Sequence, residues 1–129
     1  MSRSPENRAH LAGSQRAHDS LVKACCDYLR LHGIPAVSVG QKASQRRDGS
    51  WYSGTDKGVW DIVAPLPPHA MTLWVEAKTG KASLTPEQIA FCGEQYAAGA
   101  WCEVVRSVSD LAGVVRTVKA LERAVTGGN

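Results

Sequence analysis

The sequence has no apolar segment near the ~20 residues that a membrane-spanning helix requires. Its first twenty residues, MSRSPENRAHLAGSQRAHDS, also lack the apolar core of a secretory signal. These two absences argue against a membrane-spanning or secreted protein and predict a cytoplasmic one. Internal repeats and low-complexity tracts are absent as well. A chain of 129 residues buries roughly two-thirds of its unfolded surface, so it can fold as one domain without a metal or disulfide.

Cysteine pairs with the spacing of a zinc site are also missing. The four cysteines include one adjacent pair, and adjacent cysteines rarely bridge to each other. We therefore interpret all four as reduced core thiols: Cys25, Cys26, Cys92 and Cys102.

A strong net charge is lacking too, because 15 Lys and Arg are balanced by 12 Asp and Glu. The charge is nevertheless uneven along the chain. Residues 1–47 contain eight basic and three acidic residues, whereas residues 48–129 contain seven and nine. This asymmetry favours a polyanionic partner such as a nucleic acid, and a solvated basic face is the alternative.

Apolar periodicity predicts three helices in the chain. The first 14 residues are polar and without periodicity, so we expect a flexible N-terminal tail followed by one domain over residues 15–125. Helices are predicted at 15–31, from a cap at Thr85 to about 98, and at 108–125.

Short β-prone runs between these helices predict the strands. We expect strands at 36–39, 60–64, 71–78 and 100–106, and a small hairpin around Trp51 and Tyr52. The segment PLPPH at 65–69 is predicted to be a connection that cannot continue a ladder. The element order αβββαβα indicates an α/β fold with a mixed central sheet of about four strands flanked by helices.

Three charged residues stand out in the segment 58–78, which is otherwise apolar. Alternation along the strand 71–78 puts Glu76 and Lys78 on one face, opposite Leu73, Val75 and Ala77. Asp61, late in the preceding strand, is expected to face Glu76. Two such carboxylates suit Mg²⁺, and a lysine beside them can orient an attacking water as the ammonium or deprotonate it as the neutral amine. The alternative is a surface ion pair between Glu76 and Lys78.

The spacing of these residues resembles a known family. The pattern is GVWDIV, then LWVEAKTGKASLTPEQIAFCGEQYAAGA, then EVVRSVSDL, and it covers residues 58–111. The helix HDSLVKACCDYLRLHGIPA extends it back to about residue 18. The chain resembles the VRR-NUC family of the PD-(D/E)xK nuclease superfamily, which implies a restriction-endonuclease-like core.

The resemblance also implies a site and an activity. Asp61 and Glu76 would bind Mg²⁺, or Mn²⁺ in its place, with the backbone carbonyl of Ala77 as a further ligand. Lys78 would serve the nucleophilic water, and Gln88 would contact water or phosphate; the alternative for Gln88 is a capping box with Thr85. The implied activity is that of a structure-selective DNA endonuclease that resolves Holliday junctions as a homodimer. The resemblance also implies that a phage or prophage encodes the protein. A catalytically silent DNA-binding module is the alternative.

The sequence departs from the family's pattern at two positions. Trp60 stands where a Pro usually precedes the Asp. The first helix commonly carries a Glu aimed at the metal, and the best register puts His18 there, with Asp19 beside it. Either residue is a candidate metal ligand, and a neutral imidazole suits Mn²⁺ better than Mg²⁺. A packed histidine is the alternative for His18.

Basic and aromatic residues near the middle of the chain are the candidates for DNA contact. Binding to phosphates requires Lys and Arg, and aromatic side chains can stack on exposed bases. The alternative is a solvated loop with its Trp packed on the core. The candidates are Lys42, Arg46, Arg47, Trp51, Tyr52, Lys57 and Lys81.

Overall fold

The computed structural model describes residues 5–40, 44–45, 47–48, 51–52, 57–67 and 71–125. Its elements are α1 (Pro5–Leu31), β1 (Val37–Ser38), β2 (Ser44–Gln45), β3 (Trp51–Tyr52), β4 (Ile62–Leu66), β5 (Met71–Ala77), α2 (Pro86–Ala97), β6 (Trp101–Val105) and α3 (Val108–Val125). Four strands form one sheet in the order β1-β4-β5-β6. Strand β4 is antiparallel to β1 and β5, whereas β5 and β6 are parallel. The prediction of an α/β fold with a mixed four-stranded sheet flanked by helices is confirmed.

Helix α1 begins at Pro5 rather than at Gln15, so the predicted start of the first helix is wrong. Pro5 suits the first position of a helix, because it donates no N–H and its fixed φ is helical. The following residues are mostly good helix formers such as Glu, Arg, Ala and Leu. This part of the sequence has no apolar stripe, so hydrophobic periodicity does not indicate a helix that intrinsic propensity favours.

Strand β4 begins at Ile62 and continues to Leu66, which corrects two predictions. Asp61 lies in a bend before the strand rather than within it. Pro65 lies inside the strand and pairs with Thr72, although we expected a connection there. A proline is tolerated at this position because β1 pairs only with Ile62 and Val63, so no second ladder needs its missing N–H.

The core lies on the sheet face that α1 and α3 cover. Leu73 and Val75 of β5 are fully buried in one cluster with Leu29 of α1 and Leu111 of α3. Each such side chain contributes about 1.5–3 kcal/mol by leaving water. The predicted buried face of β5 is confirmed.

The opposite sheet face is covered by α2. The ring of Trp74 packs edge-on against Phe91 with centroids 4.9 Å apart, and its Nε1 donates to Gln95 Oε1 at 2.9 Å. The capping box predicted at the start of this helix is confirmed, with Thr85 as N-cap and Pro86 in the first turn. Helix α2 is therefore fixed at its start by the cap and along its length by contacts with the strand that carries Glu76.

Smaller predictions have mixed outcomes. The hairpin around Trp51 is confirmed, because β2 and β3 pair antiparallel. All four cysteines are unbridged, and Cys25 and Cys26 are buried in the core. Cys92 and Cys102 are only partly buried and lie outside the core cluster, so a core role is wrong for these two. Among the described residues, no helix combines the length and apolar character needed to cross a membrane.

Candidate active site

The register of the β4–β5 hairpin brings two carboxylates together. Ile62 pairs with Val75 in the antiparallel ladder. The residue before Ile62, Asp61, therefore lies opposite the residue after Val75, Glu76. The backbone carbonyl of Asp61 accepts a hydrogen bond from Val39 N at 2.7 Å, which fixes the bend before β4. Asp61 is 8% exposed and Glu76 only 2% exposed. Both acids therefore lie at the end of the sheet, at a buried position where an unpaired charge is costly.

Short hydrogen bonds link the two carboxylates to the backbone. Oδ2 of Asp61 accepts from the amide of Ala77 at 2.9 Å and is 3.1 Å from His18 Nε2. Oε1 of Glu76 accepts from the amide of Asp61 at 3.2 Å. The prediction that Asp61 and Glu76 converge is thus confirmed in geometry. The hydrogen bond of Ala77 uses its amide, and the ligand role of its carbonyl stays a prediction.

Gln88 and Lys78 complete the cluster. Nε2 of Gln88 donates to Glu76 Oε2 at 2.8 Å, and Lys78 Nζ donates to Gln88 Oε1 at 2.9 Å. Lys78 Nζ is also 3.2 Å from Glu76 Oε2 and is only 12% exposed. The ion pair between Glu76 and Lys78 exists, but it joins a buried carboxylate to a partly buried ammonium instead of lying on the surface.

The capping-box interpretation of Gln88 is confirmed, and its side chain also reaches the cluster, while a contact with water or phosphate stays a prediction. Its Oε1 accepts from the amide of Thr85 at 3.0 Å, which is one half of the capping box, and its own amide donates to Thr85 Oγ1 at 3.1 Å. The same Oε1 accepts from Lys78, while Nε2 donates to Glu76. The side chain therefore fixes the start of α2 and the orientation of the two charged groups together.

Trp60 and Gly58 anchor the first turn of α2 to this cluster. The buried indole of Trp60 donates from Nε1 to the backbone carbonyl of Gln88 at 3.0 Å. Gly58 has a φ of 91°, and a Cβ at this position would lie 2.5 Å from the carbonyl oxygen of Glu87. The close approach of the chain to α2 thus requires a glycine. Trp60, which the sequence shows only as a departure from the family's pattern, has a positioning role.

The electrostatics of the cluster favour added positive charge. Burial, followed by the negative charge of Asp61, raises the pKa of Glu76 from 4.5 to about 7, although Lys78 opposes the shift. The hydrogen bond to Asp61 raises the pKa of His18 above 6.5, with burial acting against it. Two adjacent carboxylates near a single buried ammonium leave negative charge uncompensated when both are ionised.

A divalent cation fits this donor set. Mg²⁺ typically takes one or two protein carboxylates and completes its octahedron with water or substrate oxygens. The described residues contain no group of three or more His, Cys, Asp or Glu arranged as a metal site. Mg²⁺ needs only one or two carboxylates from the protein, and the buried pair Asp61 and Glu76 supplies two.

The first helix presents His18, not Asp19, to the carboxylates. His18 Nε2 contacts Asp61, and its Nδ1 is 3.6 Å from Asp19 Oδ1. Asp19 also accepts a hydrogen bond from Gln15 Nε2 at 2.9 Å, and about half of its side chain is exposed. His18 is therefore part of the cluster rather than a histidine packed on the core. A ligand role for either residue stays a prediction.

Of the residues predicted to contact DNA, the three whose side chains the structure describes do not line the groove beside the cluster. Lys57 is exposed and lies 3.4 Å from Glu87 Oε1, one residue before Gln88 in α2. Arg47 and Lys81 are exposed in turns. The remaining candidates lie wholly or by their side chains outside the described residues: Lys42, Arg46, Trp51 and Tyr52.

A groove of about 890 Å³ leads to the cluster, and the sequence reasoning missed its walls. Helix α1 forms one side, with Lys23 and Arg30 beyond His18, and residues 38–40 form the other. Continuing the helical face of His18 by steps of three and four residues would have indicated the α1 wall.

Comparisons with models of known protein families, with curated proteins and with solved structures find no match to this chain.

Proposed function

We propose that the protein is a metal-dependent nuclease that hydrolyses phosphodiester bonds in DNA. The observation that supports this is the convergence of Asp61, Glu76 and Lys78 at the floor of one groove, joined by Gln88. Buried ionic networks contribute little to stability compared with apolar packing, so their presence at a groove favours a chemical role. The pattern that resembles VRR-NUC nucleases supports the same activity.

Each member of the cluster has a distinct task in this proposal. Asp61 and Glu76 would hold a divalent cation, which when bound would lower the pKa of water and neutralise charge on the phosphate. Lys78, held by Gln88 at 2.9 Å, positions the attacking water as the ammonium, or takes its proton after first losing its own to become the neutral amine. Gln88 keeps the ammonium and the Glu76 carboxylate in a fixed relation, because both contacts come from one carboxamide. The amide of Ala77 and the imidazole of His18 orient Asp61.

His18 bears on which metal the site prefers. Its Nε2 is 3.1 Å from Asp61, at the position where the resemblance implies a first-helix Glu. Imidazole is a better ligand for Mn²⁺ than for Mg²⁺, so we expect higher activity with Mn²⁺. A branched substrate, a homodimer and a cytoplasmic location in a phage-infected or lysogenic bacterium are further proposals, and they rest on the resemblance.

The test is cleavage of labelled DNA by the full chain. Four-way junction, 5′ flap, linear duplex and single strand are incubated with Mg²⁺, Mn²⁺ or EDTA. We expect metal-dependent cleavage that Asp61→Asn and Lys78→Ala reduce by at least a hundredfold. Lys119→Ala, which removes a lysine from α3, is the control and should cleave normally. Equal cleavage by Lys78→Ala and Lys119→Ala would refute the assignment.

The catalytically silent DNA-binding module is the second candidate. Oε2 of Glu76 already accepts from Gln88 and lies against Lys78, and His18 contacts Asp61 where an acid is expected, so the cluster is closed by its own donors. Binding without cleavage under every metal supports this candidate. His18→Glu then distinguishes the two readings, because restoring the acid should create cleavage only if that residue is what the site lacks.

A further inference from the structure

The groove beside the carboxylates has a marked charge gradient along α1. Its lining includes His18 and Asp19 at one end and Lys23 and Arg30 towards the other. A helix rises about 1.5 Å per residue, so Lys23 lies about 8 Å and Arg30 about 18 Å beyond His18. This distance corresponds to a few nucleotides, since phosphates in one strand of a stacked duplex are spaced about 3.4 Å along the axis. The acidic end meets the cluster, and the basic end offers anion contacts.

The two basic side chains are accessible to a ligand. The Lys23 side chain is 79% exposed, and its Nζ is 2.7 Å from Asp27 Oδ2, four residues further along α1. About half of the Arg30 side chain is exposed; its NH1 is 3.8 Å from Asp27, and its Nε donates to the carbonyl of Ala36. Exposed ion pairs of this kind are weak and screened by salt. A phosphate can therefore replace Asp27 as the partner of Lys23 at little cost.

The depth of the cluster limits what can occupy the groove. Glu76 is 2% exposed and Asp61 8% exposed, and among the described residues the groove between α1 and residues 38–40 gives a phosphate a path to them. A groove of about 890 Å³ has room for a slender chain. A rigid duplex carries its phosphates on the outside of a wide cylinder, whereas a single strand can follow the floor with its backbone.

We propose that a single-stranded segment of DNA lies along α1 in this groove, with phosphates on one side of the reacting position bound by Lys23 and Arg30. The proposal rests on the nuclease function and adds the form of the substrate and the residues that bind it. Asp27 pairs with Lys23 when no strand is bound. A phosphate must displace this carboxylate, so Asp27 weakens the binding of the strand.

The experiment measures binding by the full chain in EDTA, where no hydrolysis interferes. A fluorescein-labelled oligothymidylate is titrated by anisotropy at several salt concentrations against wild type, Lys23→Ala, Asp27→Asn and Lys119→Ala. Lys119→Ala is the matched control, because it removes the same charge from a helical Lys paired with Glu122 outside the groove. Circular dichroism confirms that each variant is folded.

We expect Lys23→Ala to weaken binding several-fold and to reduce the slope of log K against log salt by about 0.7, as loss of one phosphate contact on a single strand requires. Asp27→Asn should tighten binding, and Lys119→Ala should leave the slope unchanged. Absence of binding by wild type at low salt, or equal effects of Lys23→Ala and Lys119→Ala, overturns the proposal. Tighter binding to duplex DNA, or to an oligouridylate, than to the oligothymidylate also overturns the stated substrate.

The two hypotheses fail separately. If single-stranded DNA binds in a way that depends on Lys23, but no DNA is cleaved with Mg²⁺ or Mn²⁺, the nuclease function is refuted. The proposal that the groove binds a single strand is then retained. Metal-dependent cleavage with binding that is indifferent to Lys23 refutes the groove and retains the nuclease.

Discussion

The buried carboxyl of Glu76 predicts that the metal-free protein gains stability as the pH falls from 8 to 5. Burial and the charge of Asp61 raise the pKa of Glu76 in the folded state to about 7, against an ordinary 4.5 in the unfolded chain. The folded protein therefore binds a proton at a pH where the unfolded chain has released it. The resulting stability is fully present below 4.5 and is lost as the pH rises through 7.

The magnitude follows from the gap between the two pKa values. A gap of about 2.5 pH units corresponds to on the order of 3 kcal/mol, at about 1.4 kcal/mol per unit. His18 acts in the same direction, because its pKa in the folded state is raised above 6.5. Its stabilisation is fully present below 6.5 and is lost as the pH rises through the raised, folded-state pKa. Lys78 opposes part of the shift at Glu76 by pairing with it. Most small domains have only about 5–15 kcal/mol of stability, so the change is readily measured.

The assay is urea unfolding in EDTA at pH 5, 6, 7 and 8. Wild type should lose about 2–3 kcal/mol of unfolding free energy between pH 5 and 8. Glu76→Gln should show a much smaller dependence, and the comparison uses this slope because the added NH₂ changes the absolute stability. Mn²⁺ in place of EDTA should restore stability at pH 8 more than at pH 5, since ionised carboxylates bind the ion. Stability that is constant or rises with pH, or an equal slope in Glu76→Gln, would refute the reasoning.

Further substitutions test how α2 is anchored, all by urea unfolding. Gly58→Ala should cost about 2–4 kcal/mol, because its φ of 91° and the 2.5 Å approach to the carbonyl of Glu87 leave no room for a Cβ. Gly93→Ala, at an open helical position, should stabilise by roughly 0.5–1 kcal/mol, and equal effects at the two glycines would contradict the geometry. Trp60→Phe should cost about 1–3 kcal/mol through a lost hydrogen bond, and an unchanged stability would argue against that bond. Thr85→Ala should cost about 1 kcal/mol through loss of the N-cap, and an unchanged stability would contradict the capping box.

The sheet and the later helices could be predicted because their signals are local. Alternation in β5 separates Leu73 and Val75 from Glu76, and the Thr85 cap with Pro86 marks the start of α2. The start of α1 and the strand position of Pro65 were predicted wrongly, because their signals are not of this kind. Helix propensity without an apolar stripe, and an open ladder position beside a short edge strand, do not show in hydrophobic periodicity.

The partners of the site residues could be predicted only in part. The sequence places Glu76 and Lys78 two positions apart, but the contact of Asp61 with Glu76 depends on the register that pairs Ile62 with Val75. The depth of the Glu76–Lys78 pair depends on how α2 covers it. The groove depends on how α1 packs across the sheet, so Lys23 and Arg30 could not be distinguished from an ordinary solvated helix face.

The shared carboxamide of Gln88 has a consequence for how this protein can change. One side chain serves both as an element of folding and as a spacer between charged groups, so a random replacement penalises both properties in the same step. Fewer amino acids should therefore be tolerated at this position than at an ordinary helix start. A protein engineer who wishes to retune the site independently must first give the helix another cap, for example by Thr85→Asp, and only then vary residue 88.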